Sequence, residues 1–275
     1  MNKKKLSIIV FSCDAYSDLW EDFFRFMDIN WENKPYECYL VNNNKYFEAK
    51  GVKVINAGNG DWSTRARIAL EEITTPHVMT FLEDYFISEK IDQAMIEKAL
   101  SYVESESIDY YQLCTAAKED YPKWTHFNDK KYLYTIPKTQ DYWVDTSISI
   151  WNKNFMLELL GKEDYSAWKF ELDRCRDTKY PERYKNKICV LDSRNLISMS
   201  PMVIQGKFYP KSIKLMEKKG HKINISNREV LTSKEVFRYN LKRFFAGFIY
   251  GRKLLKNIGR KFGYVFMSDL YKQEK

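Results

Sequence analysis

Two adjacent carboxylates are the residues of this chain best suited to chemistry. Glu83 and Asp84 directly follow the largely apolar stretch 77–82. In α/β proteins with parallel sheets, ligands bind at the carboxyl ends of the strands. A hard divalent cation takes oxygen ligands and shares its shell with water and phosphate, so one carboxylate at a strand end suits a cation that faces a diphosphate. A solvated acidic turn is the alternative interpretation of this pair.

The hydrophobic pattern predicts the elements that would position the pair. Buried strands are predicted over 6–11, 37–41, 52–56 and 77–82. Helical spacing predicts helices over 17–30, 63–72 and 91–104, with Ser17 and Ser63 as N-caps. This alternation favours an α/β fold with a mostly parallel sheet flanked by helices.

The second half of the chain has a less regular pattern. Strands are predicted over 110–113, 147–151, 195–201 and 203–205, and helices over 153–160 and 167–175. We find no repeat, no low-complexity tract and no strong domain boundary before about residue 230.

Composition excludes several classes of protein. Of the 275 residues, 44% are hydrophobic and 16% aromatic, which excludes a disordered chain, and the 10 glycines and 7 prolines exclude a collagen-like one. The five cysteines are widely spaced with no CxxC, which favours a reducing compartment without a structural zinc or a disulfide framework. The apolar run 6–11 after Lys3-Lys4-Lys5 is too short for a secretion signal, and no run is long enough to span a membrane.

The positive charge is concentrated near the C-terminus. The net charge is +8, and the stretch between Glu235 and Asp269 holds eight Lys and Arg residues and no acid. At helical spacing one face of this stretch collects apolar residues, namely Phe237, Leu241, Phe244, Phe248, Leu255, Ile258, Phe262 and Phe266. An apolar face beside cationic flanks predicts an amphipathic helix, or two helices with a break near Gly251, lying on an anionic membrane surface through residues 237–266. The alternative is a helix whose apolar face packs on its own domain. Because aromatic and basic residues segregate, we do not expect nucleic-acid binding.

Four stretches resemble the GT-A-fold glycosyltransferases, in particular the small bacterial enzymes that build surface polysaccharides. They are the opening strand with Ser12-Cys13-Asp14, then Trp62-Ser63-Thr64-Arg65, Leu82-Glu83-Asp84-Tyr85 and Trp168-Lys169-Phe170-Glu171. The resemblance extends from Leu6 to about Leu172. Glu83-Asp84-Tyr85 stands in the place of the family's Asp-x-Asp motif, with Tyr85 where a second acid would be.

The resemblance implies a role for each of these residues. Ser12, Asp14 and Tyr16 would bind the base and ribose of a nucleotide-sugar, although an Asx-turn is the alternative for Asp14. Trp62 and Arg65 would lie near the diphosphate, since an arginine fork suits phosphate. Glu83 would lie beside the ribose or the sugar. Asp84 would hold Mn²⁺ or Mg²⁺.

An inverting transfer also needs a base for the proton of the acceptor hydroxyl. Glu171 is the first candidate and Asp145 the second, with Trp168 as a platform for an acceptor sugar ring. The alternative for both acids is an ordinary surface acid or an ion pair. Lys207 could contact the diphosphate, and His221 could reach the metal.

These expectations combine into a specific hypothesis. Residues 1–230 would form a GT-A-like domain, with a nucleotide-sugar-binding half (1–105) and an acceptor-side half (106–230), and residues 231–275 a basic helical tail. The protein would transfer a sugar from a UDP-linked donor to a lipid-linked glycan, in the cytoplasm at the inner face of the membrane. The alternatives are a nucleotidyltransferase on a similar sheet, which would need a basic, glycine-rich loop that this sequence lacks, or a non-catalytic membrane-associated or nucleic-acid-binding protein.

Overall fold

The chain forms a large central sheet with helices on both faces. The computed structural model describes residues 4–115, 121–138, 142–173, 183–247 and 261. The strands are β1 (Leu6–Phe11), β2 (Glu37–Asn42), β3 (Val52–Asn56), β4 (His77–Leu82), β5 (Tyr85–Ile87), β6 (Tyr110–Gln112), β7 (His126–Phe127), β8 (Lys130–Thr135), β9 (Ser149–Asn152), β10 (Cys189–Asp192), β11 (Met199–Pro201), β12 (Val203–Ile204) and β13 (Lys207–Phe208). The helices are α1 (Trp20–Asn30), α2 (Trp62–Glu72), α3 (Gln93–Ser105), α4 (Lys153–Leu160), α5 (Ala167–Asp173), α6 (Pro210–Lys218) and α7 (Ser233–Gly247), with short 3-10 helices at Asp14–Leu19 and Tyr121–Lys123.

The central sheet has nine strands in the order β3-β2-β1-β4-β9-β6-β10-β8-β7. The strands β1 to β4 pair in parallel, and β10 pairs in parallel with β6. Of the strands in this described sheet, β8 and β9 are antiparallel to the others. The predicted α/β fold with a mostly parallel sheet is therefore confirmed.

The alternation of side chains along β1 explains the two helix layers. Ile8 and Val10 belong to one buried cluster, which α1 and α3 complete. Ile9 and Phe11 face the other side, where they join a second cluster with residues of α2 and α4. Since successive strand residues point to opposite faces, an apolar residue at every position requires cover on both faces.

Two predicted helix starts differ from the observed ones. The helix α2 begins at Trp62 with Asp61 as its N-cap, because the Asp61 carboxylate accepts the Trp62 N–H at 2.8 Å. Ser63 instead lies inside the helix, where its hydroxyl donates to the Glu163 carbonyl at 2.9 Å. The first predicted helix is divided into the 3-10 helix Asp14–Leu19 and α1, so Ser17 is not its N-cap.

The predicted strand over 147–151 begins late for a local reason. The Asp145 carboxylate accepts the Ser147 N–H at 2.9 Å, and this turn delays the strand until Ser149. The helix predicted over 153–160 is confirmed with the same bounds.

The predicted C-terminal helix is confirmed as far as it is described. Thr232 and Glu235 start α7 with reciprocal bonds: the Thr232 N–H donates to the Glu235 carboxylate at 2.7 Å, and the Glu235 N–H to the Thr232 hydroxyl at 3.3 Å. Of the predicted tail, residues 248–260 and 262–275 lie outside the described residues. No described helix is both long and apolar enough to cross a membrane.

Candidate functional site

The ends of β1 and β4 bring the predicted donor-site residues together. These strands are neighbours in parallel, and Phe11 pairs with Leu82 at their carboxyl ends. The segment that follows β1 therefore runs beside Glu83 and Asp84, which follow β4. This is the sheet edge where the sequence predicted a ligand.

Glu83 and Asp84 are neighbouring acids whose carboxyl groups are largely shielded from water. Burial raises the pKa of Glu83 to about 8, and the nearby Asp84 charge adds to this shift. Burial also raises the pKa of Asp84 to about 6. Removing a carboxylate from water disfavours its charged form, and a second carboxylate beside it does the same. Such a pair is stabilised by a bound cation or proton, which is typical of functional sites.

Asp84 has the chemistry that a hard cation requires. Its Oδ1 is buried and accepts no hydrogen bond from the residues that the structure describes. Its backbone is fixed, because the Asp84 carbonyl accepts the Met202 N–H at 2.7 Å. Within the described ranges, no three His, Cys, Asp or Glu side chains cluster as a metal site. A carboxylate oxygen that the described residues leave unused is a ligand type that Mg²⁺ and Mn²⁺ accept, with their other ligands from phosphate and water.

Ser12 and Asp14 hold the segment after β1 in place. Ser12 is buried, and its hydroxyl accepts the Trp20 indole N–H at 2.7 Å. The Asp14 Oδ1 accepts backbone N–H groups of Asn43, Asn44 and Lys45, each at 3.2 Å. Asp14 therefore ties the segment after β1 to the loop after β2, a contact between distant residues that differs from the local Asx-turn considered above.

Tyr16 contacts an arginine that the sequence analysis missed, and the charges of the acid pair also act on it. Burial raises the pKa of Tyr16, and the Asp84 charge adds to the shift. The Arg228 guanidinium carbon lies 4.3 Å from the Tyr16 ring centroid. Arg228 also donates to Asp18 at 2.6 and 2.7 Å and to the Ala15 carbonyl at 2.8 Å. Its positive charge favours the ionised forms of Glu83 and Asp84. No sequence signal marks Arg228, because it is a lone arginine in a late loop.

Trp62 and Arg65 reach the same region from the start of α2. Trp62 is buried, with its ring centroid 5.6 Å from that of Phe11 and 5.2 Å from that of Phe170. It therefore supports the end of β1 from the core. Arg65 is 9% exposed and donates through Nη1 to the Gly60 carbonyl. Its buried Nε has no hydrogen-bond acceptor among the described residues, and its charge acts on the Cys13 thiol. Arg65 therefore has one buried N–H donor that none of the described residues uses.

The two predicted base candidates line one cleft beside this edge. The cleft has a volume of about 690 Å³ and includes Leu82, Tyr85, Asp145 and Glu171 in its wall. Its surface is mainly apolar. The structure thus brings both acids to one cleft, whose wall also includes the residues on either side of Glu83 and Asp84.

Asp145 and Glu171 differ in how they are held. Asp145 is buried, and its carboxylate accepts from the Tyr110 hydroxyl at 3.1 Å and the Ser147 N–H at 2.9 Å. Glu171 lies on α5 and accepts from the Thr146 N–H at 3.1 Å. Trp168, on the same helix, is 69% exposed and lies outside the wall of the cleft.

Lys207 and His221 have contacts that differ from those suggested by the sequence. The Lys207 ammonium pairs with Glu229 at 2.8 Å and Glu235 at 2.9 Å. The His221 ring packs edge-on against Phe26, with centroids 5.2 Å apart. His221 therefore contributes to packing at α1.

Comparisons with known proteins leave the reaction open. No family model and no curated protein sequence matches this chain. A crystal structure of S. aureus TarS is 11% identical, over 78% of this chain and 39% of that chain, with a TM-score of 0.45. S. aureus TarS 1-349 in complex with UDP-GlcNAc gives 12% identity over 55% of this chain and 46% of that chain, with a TM-score of 0.37. A cytidylyltransferase from Leptospira borgpetersenii gives 12%, over 84% of this chain and 100% of that chain, with a TM-score of 0.40.

The chain thus spans less than two thirds of both TarS structures. Similarity at this level supports no conclusion about substrate or reaction.

Proposed function

We propose that the protein is a glycosyltransferase that uses a nucleotide-sugar donor. The observation that carries this proposal is the acid pair Glu83–Asp84 at the end of β4, in which Glu83 is buried and the buried Asp84 Oδ1 has no hydrogen bond among the described residues. The Arg228 charge acts on both acids, and the Arg65 charge acts on the Cys13 thiol, which the Glu83 charge also affects. A site with carboxylates for a cation and arginines for an anion suits a metal-bound diphosphate.

The donor would be UDP-linked and would bind across the ends of β1 and β4. Ser12, Asp14 and Tyr16 would shape the pocket for the base and ribose, and Arg65 would donate to the diphosphate. Asp84 would hold Mn²⁺ or Mg²⁺. When bound, such an ion neutralises charge on the departing diphosphate.

The acceptor would bind in the cleft that Asp145 and Glu171 line. Its hydroxyl oxygen would attack the anomeric carbon as the bond from that carbon to the diphosphate breaks. Glu171 would take the hydroxyl proton, because it is only partly buried at the cleft whereas Asp145 is buried. The Thr146 N–H and hydroxyl, which both donate to the Glu171 carboxylate, would hold it in place. Asp145 would instead hold the Thr146–Ser147 turn. An inverted anomeric centre follows from this direct displacement.

The acceptor would be a glycan on a lipid carrier at the inner face of the membrane. Such an acceptor presents a sugar hydroxyl to the cleft while its lipid stays in the bilayer. The exposed Trp168 indole on α5 would then contact a sugar ring beyond the cleft, since exposed aromatic rings offer flat apolar faces.

An assay of nucleotide release tests the proposal. The full chain, with Mn²⁺, is incubated separately with UDP-glucose, UDP-galactose, UDP-GlcNAc, GDP-mannose and CMP-sialic acid, and free nucleotide is measured. We expect slow release from one UDP-sugar, and its loss in Asp84→Asn. Glu89→Gln is the matched control, because Glu89 is an exposed acid paired with Lys219 at 2.7 Å.

Two outcomes would contradict the proposal. One is no release from any donor by a folded protein. The other is release of diphosphate from CTP or UTP with a sugar phosphate, which would identify a nucleotidyltransferase.

A further inference from the structure

Among its described side chains, those of residues 233–241, the helix α7 packs on the domain through one side. Its residues Val236 and Tyr239 contact a small buried cluster of Ile204, Tyr209 and Leu231. The rings of Tyr209 and Tyr239 are 5.8 Å apart. This contact uses residues that are not on the apolar face found in the sequence. The predicted apolar face is therefore not the face that packs on the domain in this part of the helix.

The opposite side of α7 presents apolar and cationic residues together. Phe237 is 66% exposed and Leu241 42% exposed. Lys234 and Arg238 are also exposed. These four residues have the i, i+3, i+4, i+7 spacing that forms one continuous stripe on a helix. The stripe thus places two exposed apolar side chains beside two exposed cations on one side of the helix.

Glu235, the acidic residue of α7, forms its bonds within the protein. Glu235 accepts from the Lys207 ammonium at 2.9 Å and from the Thr232 N–H at 2.7 Å. These bonds lower the pKa of Glu235 to about 2. The stripe is thus left with positive charges. The sequence adds more of them, since no further acid occurs before Asp269.

We infer that the stripe of Lys234, Phe237, Arg238 and Leu241 is a contact surface for a bilayer with anionic headgroups. Phe237 and Leu241 insert at the interface, and Lys234 and Arg238 lie at the level of the phosphates. The charge of the stripe selects an anionic surface over a neutral one. This contact does not depend on which reaction the sheet edge performs.

Vesicle sedimentation tests the inference with the full chain. Vesicles of equal parts phosphatidylglycerol and phosphatidylcholine are compared with pure phosphatidylcholine. We expect binding to the anionic vesicles that weakens with salt, and weak binding to the neutral ones. Phe237→Ser with Leu241→Ser, and separately Lys234→Glu with Arg238→Glu, should each weaken binding by about tenfold.

The matched control is Leu215→Ser on α6, because Leu215 is 37% exposed and lies outside the stripe. It should bind anionic vesicles like the wild type, and circular dichroism should show that all variants fold. Unchanged binding of both double variants would overturn the inference. So would a wild-type dimer in light scattering that Phe237→Ser with Leu241→Ser converts to a monomer, because a second copy would then cover the stripe.

Discussion

Arg228 stacks on Tyr16, with its guanidinium carbon 4.3 Å from the ring centroid, although 212 positions separate the two residues (228 − 16). The same arginine makes a bidentate interaction with Asp18, in which its Nε and Nη2 each donate to a carboxylate oxygen. The loop that contains Arg228 is therefore bonded to the segment that follows β1. This contact fixes one side of the site around Glu83 and Asp84.

Replacing Arg228 should weaken ligand binding more than it weakens the fold. In Arg228→Lys the charge remains, but a lysine cannot make the bidentate interaction with Asp18 and also reach the Ala15 carbonyl. We expect the Kd for UDP with Mn²⁺ to rise by about tenfold, which corresponds to about 1.4 kcal/mol. Isothermal titration calorimetry measures this change.

Arg25 offers a matched control for Arg228. It pairs with Asp22 and donates to the Lys222 carbonyl at 2.6 Å, so it also ties the late loop to the start of the chain. It does not contact Tyr16 through any contact that the structure describes. Arg25→Lys should lower the melting temperature by a similar amount without raising the Kd. Equal losses of affinity in both variants would mean that Arg228 acts only through stability.

The acid pair should make the metal-free protein less stable as the pH rises. The folded state raises the pKa of Asp84 from 3.8 to about 6 and that of Glu83 from 4.5 to about 8. The folded state therefore binds more protons than the unfolded state between these values. The stabilisation is fully present below the unfolded pKa values and is lost as the pH rises through about 6 and about 8.

Thermal unfolding in the presence of a chelator at several pH values checks this sign. The contribution of the pair should decrease from about pH 5 to about pH 8. Asp84→Asn should flatten the decrease, because it removes one carboxyl group with a raised pKa and the effect of its charge on Glu83. Glu89→Gln should leave the profile unchanged. A profile of Asp84→Asn identical to that of the wild type would contradict the assigned burial of the pair.

The strands and helices of the first half were predictable because their patterns are local. The apolar run of β1 and the helical spacing of α1 both depend on near neighbours in the sequence. The N-cap of α2 was predicted wrongly, because Ser63 and Asp61 are both good caps and the tertiary bond from Ser63 to Glu163 decides between them. The order of the nine strands depends on pairings that a single sequence does not show.

Asp14 should affect both stability and ligand binding. Asp14→Ala leaves the backbone N–H groups of Asn43, Asn44 and Lys45 without their acceptor, which should cost about 1–3 kcal/mol of unfolding free energy. The loop after β2 should move away from the site, and the Kd for UDP should rise. Urea unfolding and calorimetry measure the two effects.

The control for Asp14 is the N-cap of α3. Asp92 accepts from the Ala94 N–H at 3.0 Å, and Asp92→Ala should cost about 1 kcal/mol of unfolding free energy. Because α3 does not contribute to the site, its Kd for UDP should equal that of the wild type. A normal Kd in Asp14→Ala would show that the loop after β2 takes no part in binding.

Glu171 and Asp145 should respond differently to the loss of charge. Glu171→Gln should lower kcat by about 10²–10⁴-fold with little change in melting temperature, as expected for a general base. Asp145→Asn should lower the melting temperature, because its buried carboxylate serves Tyr110 and Ser147. Nucleotide release and thermal unfolding separate the two. An active Glu171→Gln together with a folded but inactive Asp145→Asn would reverse the assignment.

The candidate site was predictable to the extent that it follows strand ends. Glu83 and Asp84 could be located because they follow a recognisable strand. Arg228 could not, since it reaches the site through a loop whose path depends on bonds to Asp18 and Ala15. The core position of Trp62 was also hidden, because its packing against Phe170 joins two distant helices.

The central claim is that Asp84 binds a cation together with a nucleoside diphosphate. Calorimetric titration of UDP into the wild type and Asp84→Asn, each with and without Mn²⁺, tests it most directly. The account predicts that the wild type binds UDP much more tightly with Mn²⁺, and that Asp84→Asn loses this dependence while it still unfolds cooperatively. The claim would be contradicted if the affinity for UDP did not depend on Mn²⁺, or if Asp84→Asn showed the same dependence on Mn²⁺ as the wild type.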